Sequence, residues 1–301
     1  LAGFPEITVR GKKGQKITLL VSESLTDEGA CNQRQTGRQH YYEYTLKGEG
    51  VETWHPRFSY YGFRYIQVEG AVLKGQKNTL HLPVIQKIQS CFVYNSAPKV
   101  STFQCSNRIF NEAHRLIEKA VRSNMQSVFT DCPHREKLGW LEQDHLCGPG
   151  LLYNYDLTGF LPQTLQNIAD AQHANGAVPT TAPEYVVFEG PGMDAFAESP
   201  EWGCTFVVLP FMYYETYGDD SLIRKYYNGM RRYIDYMTTR ANDGIVSFGL
   251  GDWYDYGDFR AGFSRNTPVP LVATAHYYMV VRYLVEAARM LDNRYDVAYY
   301  T

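Results

Sequence analysis

Long apolar runs are missing from this chain of 301 residues: nowhere do about eighteen apolar residues follow one another. A basic stripe that could follow a phosphate backbone is missing too, because the 29 basic and 32 acidic residues are interleaved. Internal repeats and low-complexity segments are also absent. The sequence therefore argues against a membrane and against nucleic acid as partners, and it gives no indication of an oligomeric state.

Paired-cysteine motifs are absent as well. The six cysteines form no C-x-x-C pair, and a chain of this length needs no disulfide framework, so we expect mostly buried thiols. Cys132-x-His134 and His145-x-Cys147 could together supply four zinc ligands. Carboxylate chemistry accounts for this segment better, so we predict no metal ion and no cofactor.

The first residues, Leu1–Pro5, contain neither the charged n-region nor the apolar h-region of a signal peptide. A start on Leu rather than Met indicates processing or truncation. The compartment therefore cannot be read from this end, and a periplasmic or secreted location is favoured over a cytoplasmic one.

Residues 1–99 are predicted to form an antiparallel β-sandwich. Two strands, Glu6–Arg10 and Lys16–Ser22, flank Gly11-Lys12-Lys13-Gly14, which predicts a hairpin. Short strands at this spacing are typical of a sandwich. The further predicted strands are Tyr41–Leu46, Val51–Trp54, Gly62–Glu69, Thr79–Val84 and Cys91–Tyr94. The aromatic content of 15%, with 25 Tyr, suits a sandwich core and also surfaces that meet sugars.

Residues 100–301 are predicted to be helical. Ser106 is placed to cap a first helix, in which apolar residues recur at three and four positions and predict one buried face. These residues are Ile109, Phe110, Ala113, Leu116, Ile117, Ala120 and Val121. The other predicted helices are Leu151–His173, Gly203–Tyr217, Ser221–Arg240 and Leu271–Leu291, with one more beginning near Tyr295.

Three long loops lie between these helices: Asp131–Gly150, Ala174–Trp202 and Asn242–Pro270. Loops of this length are uncommon in compact domains unless they carry function. Each of the three pairs tryptophan with acidic residues, and glycoside hydrolysis needs two carboxyl groups, while aromatic rings cover the apolar faces of a sugar. The carboxyl groups that stand near tryptophan are Asp131, Glu136, Glu142, Asp144, Glu198, Glu201, Asp252 and Asp255.

Two other chemistries compete for the first loop. His134-x-Glu136 matches half of the zinc-deaminase signature, but the Pro-Cys-x-x-Cys half is missing from the chain. A nucleophilic Cys132 paired with a histidine lacks an orienting Asn, and the neighbouring Pro133 favours a structural thiol. Carboxylate catalysis on a sugar is therefore the favoured interpretation.

Thr130-Asp131-Cys132-Pro133-His134-Arg135-Glu136-Lys137-Leu138-Gly139-Trp140 closely resembles the signature of glycoside hydrolase family 78, the α-L-rhamnosidases. We call this segment the signature loop. In that family Asp-Cys-Pro-x-Arg-Glu-x-Leu-Gly-Trp opens the catalytic domain. Other segments resemble the family in the same order: Trp54–Tyr65, Ser199–Gly203, Gly251–Trp253 and Thr267–Ala275.

The resemblance implies that residues 100–301 are the N-terminal part of an (α/α)6 toroid. It implies release of terminal α-L-rhamnose, from rhamnosides or rhamnose-containing polysaccharides, with inversion and with Glu136 as general acid. The residues expected to bind the sugar are Asp131, Arg135, Trp140, Glu142, Asp144, Glu201, Trp202, Asp252 and Trp253. A toroid needs twelve helices and about half are predicted here, so the domain is expected to be incomplete and its general base to lie beyond Thr301.

Two features depart from this expectation. Family members often have Gly-Asp two and three residues after the signature Trp, where this chain has Glu142 and Gln143, so Glu142 or Asp144 is expected to substitute. Glu136 also stands between two cations, Arg135 and Lys137, which favour its ionised form, although a general acid must be protonated. The rival interpretations are a non-catalytic sugar-binding protein and another (α/α)6 enzyme, such as a polysaccharide lyase.

Overall fold

The computed structural model describes residues 1–37 and 39–301. The chain divides into two compact units, one of residues 1–96 and 103–137 and the other of residues 97–102 and 138–301. The boundary predicted between residues 99 and 100 falls within the short segment assigned to the second unit. That boundary stays a prediction, while the order of a β-rich part followed by a helical part is as predicted.

The first unit contains two sheets. One is formed by β1 (Ala2–Arg10), β4 (Val51–Trp54), β5 (Tyr61–Gly62), β7 (Val72–Leu73) and β8 (Val84–Phe92), and the other by β2 (Lys16–Ser22), β3 (Tyr41–Thr45) and β6 (Tyr65–Glu69). Strand pairs are antiparallel except β7 with β8, which is parallel. Alternate residues of both sheets meet in one buried core that includes Ile7, Leu19 and Ile85.

The predicted hairpin between the first two strands is wrong. β1 pairs with β4, β5 and β8, whereas β2 pairs with β3 and β6, so Gly11-Lys12-Lys13-Gly14 connects two different sheets. Alternation of apolar residues determines which face of a strand is buried but not which strand it pairs with. The predicted strand Thr79–Val84 is also wrong, because β8 only begins at Val84.

Helix α1 (Arg108–Asn124) belongs to the first unit by its contacts. It begins one residue later than predicted, because the side chain of Asn107 rather than Ser106 accepts a hydrogen bond from the Ile109 N–H. The prediction that its apolar face is buried is wrong for this chain. Ile109, Phe110, Leu116 and Ile117 are all exposed.

The second unit is helical, and eight of the thirteen residues of α7 (Thr205–Tyr217) are buried. This helix packs against α2 (Glu142–Leu146), α3 (Gly148–Asn154), α4 (Phe160–Ala171), α8 (Ser221–Arg240) and α9 (Val269–Met290). Gly218 ends α7 with a φ of 71°, a left-handed conformation that favours glycine. The other elements of this unit are α5 (Asp194–Ala197), α6 (Pro200–Gly203), β9 (Asp255–Gly257), β10 (Phe259–Gly262) and α10 (Arg294–Tyr300).

The single helix predicted over Leu151–His173 is in fact two helices, α3 and α4. Asp156 Oδ1 accepts hydrogen bonds from both the backbone N–H and the hydroxyl of Thr158, which forms a local turn in competition with helix. Among the described residues, no helix combines the length and the apolarity needed to cross a bilayer.

Candidate functional site

The signature loop begins in the first unit, which contains its residues up to Lys137. Thr130 is buried, and its hydroxyl donates to the Asn124 carbonyl at 3.2 Å, which fixes the start of the loop to the end of α1. The Glu136 N–H donates to Cys132 Sγ at 3.4 Å, which closes a tight turn. Of the three predicted site residues in this part, Asp131 is half-buried, while Arg135 and Glu136 are exposed.

The loop also contacts the Trp54–Tyr65 segment of the same unit. The Gly62 N–H donates to the Pro133 carbonyl at 2.7 Å. A Cβ at position 62 would lie 2.7 Å from Pro133 Cγ, so only glycine allows this close approach. Two segments that resembled the family separately are therefore in direct contact.

Lys137, one of the two cations beside Glu136, is held by aromatic residues. Its Nζ donates to the Tyr60 carbonyl at 3.0 Å and lies 4.8 Å from the ring centres of both Tyr60 and Tyr61. Its backbone is left-handed, with a φ of 55°. These contacts hold the Lys137 ammonium group against the two rings within the first unit.

Cys132 does not have the properties of a nucleophile. Burial, and next a hydrogen bond with Asp131, raises the pKa of its thiol. A nucleophilic cysteine needs a lowered pKa, because the thiolate is the reactive form. The structural interpretation of this thiol is therefore supported.

In the second unit, the three predicted tryptophans belong to one aromatic cluster. Trp140 stacks on Phe188, with ring centres 5.3 Å apart, and meets Trp202 edge-on at 6.4 Å. Phe188 lies 6.1 Å from Phe196, which meets Trp253 edge-on at 5.3 Å. Sequence reasoning missed the two phenylalanines, because nothing in their neighbourhood distinguishes them from ordinary core residues.

Three of the predicted carboxyl groups, those of Glu142, Glu201 and Asp252, interact electrostatically in this unit. Burial, and next the charges of Glu201 and Asp252, together raise the pKa of Glu142 to about 7. Burial also raises the pKa of Glu201. Glu142 can therefore hold a proton near neutral pH. Acid catalysts and hydrogen-bond donors to sugars share this property.

Glu201 is held by the loop that precedes α6. The Ser199 hydroxyl donates to Glu201 Oε2 at 2.6 Å and accepts from the Leu250 N–H at 2.8 Å. Gly249, with a φ of 116°, leaves room for this carboxylate, since a Cβ there would lie 2.9 Å from Glu201 Oε2. Glu201 Oε1 is buried and has no hydrogen-bond partner.

The remaining predicted binding residues differ in exposure. Asp144 is 4% exposed, and burial raises its pKa well above the usual range, so its carboxyl group is enclosed by protein. Asp252 is exposed and Trp253 is half-buried. Glu142, which is partly exposed, is thus better placed than Asp144 to meet a ligand.

Asp255 and Glu198, two acidic residues near the tryptophans in the sequence, have structural roles. Asp255 accepts hydrogen bonds from the backbone N–H groups of Arg265 and Asn266 at 2.6 and 2.7 Å, and these bonds lower its pKa. Glu198 accepts from the Tyr236 hydroxyl and from Arg240. Both carboxylates thus stabilise loops.

A cluster of His145, Cys204 and His276 also lies in the second unit, and sequence reasoning missed it. One ligand atom of each residue lies within 4.8 Å of the other two. Burial, and next the nearby His276, lowers the pKa of His145 to about 4, so its imidazole is neutral at neutral pH. The three residues come from separate parts of the sequence, which offers no spacing that could reveal them.

Both parts of the chain match known protein families. Residues 98–301 match the bacterial alpha-L-rhamnosidase 6 hairpin glycosidase domain, and residues 1–94 match the bacterial alpha-L-rhamnosidase concanavalin-like domain. A β-sandwich followed by a six-hairpin glycosidase domain is the class that the fold defines. The chain belongs to the bacterial α-L-rhamnosidase family.

Individual relatives agree with this assignment. The chain is 29% identical to an alpha-L-rhamnosidase of Formosa agariphila over 97% of its own length and 31% of the relative's. It superimposes on the alpha-L-rhamnosidase of Dictyoglumus thermophilum with a TM-score of 0.84 at 29% identity, covering 99% of this chain and 32% of that one. For the Streptomyces avermitilis alpha-L-rhamnosidase complexed with L-rhamnose, the TM-score is 0.80 at 26% identity, with 100% and 28% covered. The chain thus spans about a third of the length of these relatives.

Proposed function

We propose that the protein containing this chain is an inverting glycoside hydrolase that releases terminal α-L-rhamnose from rhamnosides or rhamnose-containing polysaccharides. The observation that carries the proposal is the aromatic cluster of Trp140, Trp202 and Trp253 in the same unit as Glu142 and Glu201. Aromatic rings cover the apolar face and the methyl group of a deoxysugar, while carboxyl groups bind its hydroxyls. Family membership and the relatives named for this activity support the same substrate.

Glu136 is proposed as the general acid, with Asp131 and Arg135 binding hydroxyl groups of the sugar. The support is the signature loop, whose residues match the family motif one by one. The anchoring of this loop by Gly62 and Pro133, and of Lys137 by Tyr60 and Tyr61, supplies the rigidity that a proton donor needs. The general base is proposed to lie in the part of the protein that follows this chain.

Glu142, rather than Asp144, is proposed to replace the acidic residue that family members often carry after the signature tryptophan. Glu142 is partly exposed, whereas Asp144 is enclosed. With a pKa of about 7, Glu142 can donate a hydrogen bond to a sugar oxygen as a neutral acid and accept one as a carboxylate. The exposed Asp252 is proposed to complete this polar side of the site, and the buried Glu201, which is only 4% exposed, is proposed to act on the sugar through its charge on Glu142.

The stereochemistry of the product tests the proposal. The full-length protein is incubated with an aryl α-L-rhamnoside, and proton NMR identifies the anomer of L-rhamnose that appears first. Inversion predicts that β-L-rhamnose appears first and then equilibrates with the α anomer, because water attacks the face opposite the leaving group.

Three outcomes would contradict parts of this account. First appearance of the α anomer would show a retaining mechanism and would contradict the proposed inversion. An unsaturated uronic product that absorbs in the ultraviolet would identify a lyase instead. Binding of rhamnosides without any turnover by the full-length protein would identify a non-catalytic sugar-binding protein.

A further inference from the structure

The cluster of His145, Cys204 and His276 combines residues from three parts of the second unit. His145 lies on α2, Cys204 joins α6 to α7, and His276 lies on α9. Cys204 is 1% exposed, whereas both histidines are half-buried. The hydrolysis proposed above uses none of these three side chains.

Hydrogen bonds show that Nδ1 of each imidazole carries a hydrogen. The hydroxyl of Thr205 donates its only hydrogen to the Leu141 carbonyl at 2.8 Å, so it accepts from His145 Nδ1 at 2.7 Å. His276 Nδ1 lies 2.9 Å from the Val272 carbonyl, which can only accept, so this nitrogen also carries a hydrogen. In a neutral imidazole with a protonated Nδ1, the lone pair is on Nε2.

The Nε2 lone pair of His145, the sulfur of Cys204 and a ring nitrogen of His276 are therefore close together. The distance from His145 Nε2 to Cys204 Sγ is 3.8 Å, and the ligand atoms of all three residues lie within 4.8 Å of one another. Two ligands at about 2.0 to 2.3 Å from one metal ion in a tetrahedral arrangement are separated by about 3.3 to 3.8 Å. Small side-chain movements would thus bring all three atoms to one ion.

The charges around the cluster favour a cation. A divalent ion bound to one thiolate and two neutral imidazoles has a net charge of +1, and the carboxylates of Glu201 and Glu142 both interact electrostatically with Cys204.

We propose that His145, Cys204 and His276 form a zinc site with three protein ligands, in which Thr205 and the Val272 carbonyl orient the two imidazoles. Nitrogen and thiolate ligands in a compact arrangement select zinc over magnesium or calcium, which prefer oxygen. Orientation of a ligating histidine through its other ring nitrogen is the usual arrangement around such ions. The ion connects α2, the junction between α6 and α7, and α9, beside Glu201, so its role is structural. This site does not depend on the proposed hydrolysis.

The decisive measurement is zinc-edge X-ray absorption on the full-length protein loaded with one equivalent of zinc after treatment with a chelator. The expected first shell contains one sulfur at about 2.3 Å and nitrogen or oxygen at about 2.0 to 2.1 Å. Failure to retain zinc through gel filtration, a first shell without sulfur, or a shell with two or more sulfurs would overturn the proposal. In the first two outcomes, the cluster is a hydrogen-bonded one, in which the Cys204 thiol donates to the Glu201 carbonyl.

Substitutions test whether these three residues are the zinc ligands. Cys204→Ser and His276→Gln are each expected to lose one zinc equivalent by elemental analysis and the rise in thermal midpoint that zinc gives the wild type. Cys147→Ser, which removes an exposed thiol two residues from His145, is the matched control and should retain both. Zinc content equal to wild type in Cys204→Ser, or loss of zinc in Cys147→Ser, would also overturn the assignment.

Discussion

At the scale of single residues, the environment makes chemically identical side chains behave differently. Glu52 accepts hydrogen bonds from the Tyr44 hydroxyl and from two backbone N–H groups, and the bond from Tyr44 is the largest cause of its lowered pKa. Glu142 has burial and two neighbouring carboxylates instead, which raise its pKa to about 7. Glu52 therefore stabilises a turn as an anion, whereas Glu142 can hold a proton near neutral pH.

Glu142 should make the stability of the protein depend on pH. Its pKa is higher in the folded protein than the ordinary 4.5, so the folded state binds more protons between about pH 4.5 and pH 7, and stability falls as pH rises through that range. Glu142→Gln removes this titration. We expect the variant to gain on the order of 1 to 3 kcal/mol relative to wild type between pH 4.5 and pH 8.

Thermal midpoints of both proteins across this pH range measure the effect. The exposed Glu215 on α7 supplies the control, because Glu215→Gln changes the net charge equally without touching the site. A difference between wild type and Glu142→Gln that is the same at pH 4.5 and at pH 8 would show that Glu142 titrates normally.

At the scale of elements, the contact between β5 and the signature loop holds the proposed acid in place. Gly62→Ala should destabilise the first unit by about 1 to 3 kcal/mol, since the new methyl group lies 2.7 Å from the rigid ring of Pro133. The thermal midpoint should fall, and activity on rhamnosides should fall with it because the loop that carries Glu136 is displaced.

Gly159→Ala is the matched control for this substitution. Gly159 has a φ of −91° and nothing within 4 Å of an added Cβ, so alanine should be tolerated there. An equal fall in thermal midpoint for both variants, or no fall for Gly62→Ala, would contradict the importance of the contact.

Elements with strong local signals were predictable from the sequence, and those that depend on distant partners were not. The bounds of α8, Ser221–Arg240, were predicted correctly, since a glycine-containing break precedes a long amphipathic pattern. The hairpin between β1 and β2 failed because pairing across sheets is decided by the whole core. The break between α3 and α4 failed because a turn formed by the Asp156 side chain competes with helix.

At the scale of the whole molecule, the family was predictable because its motif is long and is repeated by other segments in a fixed order. The tryptophans of the proposed site could be chosen for the same reason, and the structure places all three in one cluster. The exposure of single side chains was not predictable, so the sequence could not decide whether Glu142 or the enclosed Asp144 replaces the acidic residue of the family. Of His145, Cys204 and His276, the sequence singled out only His145 as a candidate metal ligand, because folding alone brings the three residues together.

The central claim is that Glu136 donates the proton to the leaving group, while Glu142 binds the sugar. The most direct test compares Glu136→Gln with wild type in the full-length protein, on a natural rhamnoside and on an aryl rhamnoside whose leaving group needs no proton. We expect kcat for the natural substrate to fall by about 10² to 10⁴, the usual contribution of acid catalysis, and to fall far less for the aryl substrate. Glu142→Gln should lower kcat/KM for both substrates by similar factors. Wild-type activity of Glu136→Gln on the natural substrate, or equal losses on the two substrates, would contradict the claim.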